Sequence, residues 1–247
     1  MSNFGKSNRM RLQTAGRDKN QMLRGKDGSD KYYSDMLIIL DFDGTIGDSQ
    51  ALIIGTMQQT MRELKLEVKT KEECARTIGL RLDEGFRQLY GVSHDEAMLC
   101  AGTYRRIFME MKEKMVVKPF PHVIESIRRM AADRHIVAIA SSRSRASLLE
   151  YVEEMYIGDC ISCIVAANDV ERVKPAPDMV LKIMEETGGK PENTLVVGDM
   201  IYDIEMGRNA GARTCAVTYG NGTYDELSAA DYIIDDFAAL LDIILRN

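Results

Sequence analysis

No apolar run in this chain of 247 residues approaches the roughly 18 that a bilayer-crossing helix requires, and that excludes a membrane-spanning helix. The N-terminus also lacks the hydrophobic stretch of a secretory signal. Cysteine is sparse and odd in number, at Cys74, Cys100, Cys160, Cys163 and Cys215, which excludes a complete disulfide framework. A reduced, cytoplasmic setting is the expectation. Cys160-Ile-Ser-Cys163 has metal or redox spacing, but the second pair needed for a four-ligand zinc site is missing, so packing roles are expected. The three histidines, His94, His122 and His135, match no catalytic pattern and are read as structural. No internal repeat or low-complexity tract stands out.

The composition that remains, 45% hydrophobic and 28% charged, can bury a full core in one large domain or two unequal ones. The net charge of −6 conceals an asymmetry: residues 1–35 carry eight basic and four acidic side chains, and the rest carry 24 and 34. A short basic segment rich in Gly, Ser and Asn cannot bury enough apolar surface to fold alone, so the leader is expected to be disordered. With only Phe4, Tyr32 and Tyr33 as aromatics and no amphipathic helix, it is not read as a nucleic-acid or membrane arm.

Short, continuous apolar runs recur at Leu37 to Leu40, Ile136 to Ala140, Ile164 to Ala166, Leu195 to Val197, Cys215 to Val217 and Ile233 to Ile234. Continuity instead of alternation marks strands buried on both faces, as in a parallel sheet. Helical patterns lie between them at Val123 to Ala132, Ala146 to Met155, Pro177 to Thr187 and Ile201 to Ala210. This alternation predicts an α/β, doubly wound, Rossmann-like core. The gap from Ile53 to Lys118 is too long for one crossover helix. Ile53, Met57, Met61 and Leu64 share one helical face, and Ala101, Tyr104, Phe108, Met111 and Met115 recur at alternating spacings of three and four. Residues 53–118 are therefore read as a strand-free, all-helical cap inserted into a core of residues 36–52 and 119–247. The Met-rich stripe is read as internal packing.

In open α/β sheets, ligands bind beyond the carboxyl ends of the strands. The residues there are Asp41-Phe42-Asp43-Gly44-Thr45, Ser141-Ser142, and Gly198-Asp199 with Asp203 four positions on. Lys174-Pro175-Ala176-Pro177-Asp178 opens the helix after the third run, where proline fixes the backbone without losing a needed donor. Converging carboxylates repel one another without a cation, and hard oxygen donors with room for water suit Mg²⁺. Phosphoryl transfer uses such a cluster, with an aspartate as nucleophile. Asp41 and Asp43 point the same way because strand side chains alternate, so one can attack while the other moves a proton.

These four elements, in type and order across residues 36–247, resemble the four motifs of the haloacid dehalogenase superfamily. The resemblance implies Asp41 as nucleophile and Asp43 as general acid/base that also offers its backbone carbonyl to the metal. It implies that Ser141 holds a phosphoryl oxygen, that Lys174 steadies the nucleophile, and that Asp199 and Asp203 complete a Mg²⁺ site. Gly44, Thr45 and Ser142 would contact phosphate, and Asp48 and Ser49 would be structural. The helical insertion resembles the caps of phosphoglycolate phosphatases, pyrophosphatases and β-phosphoglucomutases, which makes Arg76 and Arg81 candidates for clamping a second anionic group. Tyr104-Arg105-Arg106 also matches and is read as packing. Gly220-Asn221-Gly222-Thr223 is read as a turn at the active-site edge with no phosphate-loop lysine.

The implied activity is Mg²⁺-dependent hydrolysis of a small phosphate monoester, phosphoglycolate-like or a sugar phosphate, with a phosphosugar mutase or a pyrophosphatase as alternatives. The implied partner is a small phosphorylated metabolite, without nucleic acid or membrane, in a monomer or weak homodimer. The resemblance disfavours dehalogenation, because carbon–halogen cleavage needs no proton donor at position 43, and phosphonate hydrolysis, because relatives with that activity lack an aspartate there and require a cap lysine. Intact catalytic positions argue against a non-catalytic binding module of the same fold.

Overall fold

Residues 36–246 are described by the structure, a computed structural model, and the expectation for the basic leader lies outside the described residues. Strand β1, Leu37–Leu40, is buried along its whole length, and its side chains alternate between two apolar layers. Ile38 and Leu40 join Val123, Ile127, Leu148, Tyr151 and Leu240, whereas Leu37 and Ile39 meet Met179, Val180, Ile183 and Met206. Helices α5 (Val123–Ala132), α6 (Arg145–Glu154) and α10 (Ala239–Leu245) thus cover one face. Helices α7 (Asp178–Thr187) and α8 (Ile201–Asn209) cover the other. Fully burying a Leu or Ile side chain is worth about 1.5–3 kcal/mol, so the two-sided burial of this one short strand is a substantial part of what holds the layers together.

The remaining core strands are β4 (Ile136–Ser141), β5 (Ile161–Ala166), β6 (Thr194–Gly198), β7 (Arg213–Val217) and β8 (Tyr232–Ile234). They form a six-stranded sheet in the order β5-β4-β1-β6-β7-β8, with every pairing parallel. Each corresponds to an apolar run read from the sequence. The strand order reverses direction at β1 and β6, where a crevice opens at the carboxyl ends. Leu40 lies opposite Ile139 on one side and Val197 on the other, so the residues just beyond all three strands meet at that crevice.

Between β1 and α5 run four helices: α1 (Gln50–Glu63), α2 (Lys71–Ala75), α3 (Leu82–Tyr90) and α4 (His94–Lys112). Thr70 with Glu73, and Ser93 with Glu96, form reciprocal capping boxes that start α2 and α4. Met57, Met61, Tyr104 and Phe108 are buried among these helices, and all but Met61 also border the cleft beneath them. Helix α1 begins at Gln50, so the boundary drawn at residue 53 falls inside its first turn. A small antiparallel ribbon, β2 (Gly47–Asp48) with β3 (Lys118–Pro119), joins the two connections to the core. The ribbon lies at the two ends of the insertion, and only helices run between Gln50 and Lys112. Among the described residues no helix is long and apolar enough to cross a membrane.

Candidate active site

Asp41 follows β1 directly, and its backbone N–H donates to the Val197 carbonyl at 2.9 Å, tying it to the end of β6. Asp199 follows β6, and Asp203 sits in the first turn of α8, where it accepts from the Met200 N–H at 3.0 Å through Oδ2. One oxygen from each of Asp41, Asp199 and Asp203 lies within 4.8 Å of the others, and all three side chains are buried. Lys174, delivered by the crossover from β5 to α7, is fully buried, hydrogen-bonds Asp41, and places Nζ 2.7 Å from Asp203 Oδ1.

The electrostatics follow from this crowding. Burial, reinforced by the charges of Asp203, Asp199 and Asp43 and opposed by Lys174, raises the Asp41 pKa well above the ordinary carboxylate range. Burial and Asp203 push Asp199 up to about 7, against the stabilising hydrogen bonds from Asn221 and Thr45. Burial disfavours the charge of Lys174, yet Asp203 and Asp41 outweigh it and hold its pKa above that of an ordinary lysine. Three buried carboxylates face a single ammonium, so the donor set is short of positive charge and consists of hard oxygens that can share one ion. That chemistry fits Mg²⁺.

Asp43 is held in a different way. Arg143, just beyond β4, donates from Nη2 to Oδ1 at 2.7 Å and from Nε to Oδ2 at 2.8 Å, and Ser49 Oγ donates to Oδ1. The guanidinium carbon of Arg143 lies 4.9 Å from the Tyr151 ring centroid, 5.3 Å from that of Phe108 and 5.5 Å from that of Phe42, a cation held among three aromatic faces. Ser49, read as structural, thus uses its hydroxyl on Asp43 and leaves α1 without a side-chain cap.

The other candidates divide. Ser141 is buried at the end of β4, and its Oγ accepts from the Arg143 N–H at 3.3 Å. Ser142 Oγ donates instead to the Gly79 carbonyl at 2.6 Å, linking the core to the loop before α3. Thr45 Oγ1 donates to Asp199 Oδ1 at 3.1 Å. The Gly44 N–H bonds Gly47 O at 3.0 Å and the Thr45 N–H points to Phe42 O at 3.4 Å, so in this conformation the turn itself uses the donors assigned to phosphate. Gly44 has φ +92, and a Cβ there would fall 2.1 Å from Asp199 Oδ2, so glycine is required. Arg81 lines the cleft beneath the helical insertion but forks onto Asp83, with Nε to Oδ1 at 2.9 Å and Nη2 to Oδ2 at 2.8 Å. Arg76 lies outside that cleft and offers its carbonyl to Tyr202 Oη at 3.2 Å.

Two residues escaped the sequence reading. Arg143 stands one position past the Ser141-Ser142 pair. Asn221 belongs to the turn after β7 and donates to Asp199 Oδ2 from its backbone N at 2.7 Å and from Nδ2 at 2.8 Å. Its place at the active-site edge was the available signal. The cysteines behave as packing residues: among the described residues all five are free, and Cys163 donates to Glu186 Oε2 at 3.2 Å with its thiol pKa pushed up to about 12 by burial and that carboxylate. His122 pairs with Asp236, and His135 Nδ1 accepts from the Met36 N–H at 3.3 Å, away from the carboxylate cluster.

Comparison with known proteins places this geometry in context. The chain is 28% identical over 211 residues to "Pyrophosphatase PpaX" of Bacillus mycoides (strain KBAB4), covering 85% of this chain and 96% of that protein. It is 28% identical over 212 residues to "Probable phosphatase IndB" of Dickeya dadantii (strain 3937), covering 83% and 91%. In fold it resembles a "predicted phosphatase" from Clostridium acetobutylicum, with a TM-score of 0.78 at 22% identity over 86% of this chain and 99% of that one. It also resembles a "predicted phosphoglycolate phosphatase" from Haemophilus somnus 129pt, with a TM-score of 0.74 at 21% identity over 84% and 97%. A family model described as haloacid dehalogenase-like hydrolase matches residues 38–217, which run from β1 to the end of β7, and the chain belongs to that family.

Proposed function

We propose that the protein is a Mg²⁺-dependent phosphatase that hydrolyses a small phosphate monoester through a phosphoaspartate on Asp41. The observation that carries this reading is the placement of Asp41 at the end of β1, bonded to Lys174, with one oxygen each of Asp41, Asp199 and Asp203 within 4.8 Å of the others. The name of one relative at 28% identity, a probable phosphatase, supports the same reading, and that of the other, a pyrophosphatase, supports phosphoryl hydrolysis with the alternative substrate.

In the first half-reaction a carboxylate oxygen of Asp41 attacks phosphorus, the P–O bond to the leaving group breaks, and the departing oxygen takes a proton from Asp43. In the second, water gives a proton to Asp43 and attacks the phosphorus of the acyl phosphate, releasing inorganic phosphate and restoring Asp41. Lys174 holds the attacking oxygen and offsets charge on the phosphoryl group, and Ser141 Oγ binds one of its oxygens. Both oxygens of Asp43 are held by Arg143 in this conformation, so proton transfer requires one of them to be released. Asp41, Asp199, Asp203 and the Asp43 carbonyl would hold Mg²⁺, which when bound neutralises phosphate oxygens.

The test is phosphate release from a generic aryl phosphate with and without Mg²⁺, alongside Asp41→Asn. Metal-dependent release that disappears in a folded Asp41→Asn protein is expected, and normal turnover in that variant overturns the nucleophile assignment. The pyrophosphatase alternative is separated by comparing kcat/KM for inorganic pyrophosphate with that for monoesters. A mutase is separated by looking for a bisphosphate intermediate in place of free phosphate.

A further inference from the structure

The cleft that meets the site at Asp43 and Ser142 is a cavity of about 580 Å³ between the helical insertion and the core. That lies within the roughly 300–1,000 Å³ of pockets that enclose drug-sized ligands, far more room than a two-carbon acid or a second phosphate needs. Its wall is mainly apolar, with Met57, Ile78, Leu80, Leu82, Tyr104 and Phe108 all contributing. The charged side chains lining it are Asp43, Arg81, Asp83, Arg105, Arg143 and Glu150. Arg143 is bound to Asp43, Arg81 to Asp83, and Glu150 to Lys112. Only Arg105, exposed on α4, has no ion-pair partner among them.

A polyanionic leaving group meets a poor set of partners here, because Arg143 and Arg81 are already paired with carboxylates and the neutral groups of Thr77, Ser142, Ser144, Ser147 and Asn168 cannot offset several buried charges. An apolar body gains by burial. We infer that the leaving group is a bulky, largely apolar alcohol carrying one anionic substituent, with its body against the wall formed by Met57, Leu80, Leu82 and Phe108 and its charge at Arg105. The inference rests on the phosphatase reading and deepens it: the same Asp41 chemistry acts on an amphipathic phosphomonoester in preference to pyrophosphate or phosphoglycolate.

The test uses leaving alcohols of matched reactivity so that chemistry does not mask recognition. With the full chain and Mg²⁺, kcat/KM is measured for ethyl phosphate, phenethyl phosphate and para-carboxyphenethyl phosphate, with inorganic pyrophosphate for comparison. Phenethyl phosphate should exceed ethyl phosphate by about tenfold or more, since even one buried methylene gives about that discrimination. The carboxylated compound should exceed phenethyl phosphate, and Arg105→Gln should reduce that second ratio by about tenfold, the loss of one charged hydrogen-bonded contact. Leu80→Asp should reduce the first ratio, with thermal melting confirming that both variants fold. Binding of phenethylphosphonate against ethylphosphonate, neither of which can be hydrolysed, reads the cavity independently of turnover. If no ester releases phosphate, the phosphatase reading falls, and the phosphonate comparison still decides the cavity. Equal or better use of ethyl phosphate or pyrophosphate, or equal binding of the two phosphonates, overturns the inference.

Discussion

Arg143 and Asp43 form a two-pronged ion pair whose side chains are only 9% and 11% exposed, so neither has water to fall back on when the other is removed. Breaking one partner of a buried pair strands a charge, which costs about 3 kcal/mol or more. Arg143→Met should therefore lower unfolding stability by about 3 kcal/mol. It should also lower kcat by about tenfold or more, because Asp43 loses the group that orients its proton-carrying oxygen. Arg143→Lys should recover part of the stability and little of kcat, because an ammonium cannot fork onto two oxygens. Denaturant titration and steady-state kinetics on both variants check this, and wild-type kcat in Arg143→Met sinks the positioning role.

The acidic cluster makes metal binding and pH inseparable. The Asp199 carboxyl, ordinarily near 3.8, is pushed up to about 7 by burial and Asp203. Its folded-state pKa is raised, so the folded protein holds a proton that the unfolded chain has already lost, and stability falls as pH climbs between those two values. Metal-free protein should thus lose stability from this group between about pH 4 and about pH 7. Mg²⁺ competes with that proton, so its stabilisation should be larger at about pH 8 than at about pH 5. Melting temperatures with chelator and with saturating Mg²⁺ at both pH values give the answer. An equal Mg²⁺ shift at both contradicts the cluster as the binding site.

Asn221 gives Asp199 two of its hydrogen bonds, while Gly220 lets the turn approach so closely that a Cβ there would lie 2.3 Å from the Asp199 Cβ. Partners that orient a metal ligand typically contribute about 10–100-fold in affinity or activity. Asn221→Ala keeps the backbone donor and should raise the Mg²⁺ concentration for half-maximal activity by about tenfold. Gly220→Ala displaces the ligand itself and should be the more damaging of the two. Mg²⁺ titrations of activity rank them, and the reverse order would show that the turn does not control Asp199.

The contrast between Asp199 and Asn221 shows what the sequence could carry. Asp199 follows a run of apolar residues, so its place at a strand end is encoded locally, as are the six core strands, and the structure brings Asp41, Lys174, Asp199 and Asp203 together there. Asn221 matters only because the turn after β7 folds back on a residue 22 positions away, and nothing in Gly-Asn-Gly-Thr announces its target. Arg143 is similar: its position beyond β4 was legible, but its partners Asp43, Phe42 and Phe108 come from elsewhere in the chain. Arg81 lies at the cleft as expected, and its fork is taken by Asp83 two residues away, a local pairing that the sequence reading did not consider.

His122, which follows Phe120-Pro121, holds a backbone conformation that suits glycine better than histidine. It precedes α5 with φ 61 and ψ 1, the left-handed region in which a Cβ crowds the following carbonyl. The side chain recovers something by pairing Nδ1 with Asp236 Oδ2 at 2.8 Å, but both groups are more than half exposed, where such pairs contribute at most about 1 kcal/mol. Comparing His122→Gly with His122→Ala removes the pair in both and isolates the backbone. Glycine relieves the left-handed strain and alanine keeps it, so the glycine variant should be more stable by about 1 kcal/mol, or roughly 2–4 °C in Tm for a chain of this size. Neither variant should alter kcat, because His122 touches none of Asp41, Asp43, Lys174 or Asp199. An alanine variant that melts at or above the glycine variant would show that the chain does not enter α5 through a left-handed residue.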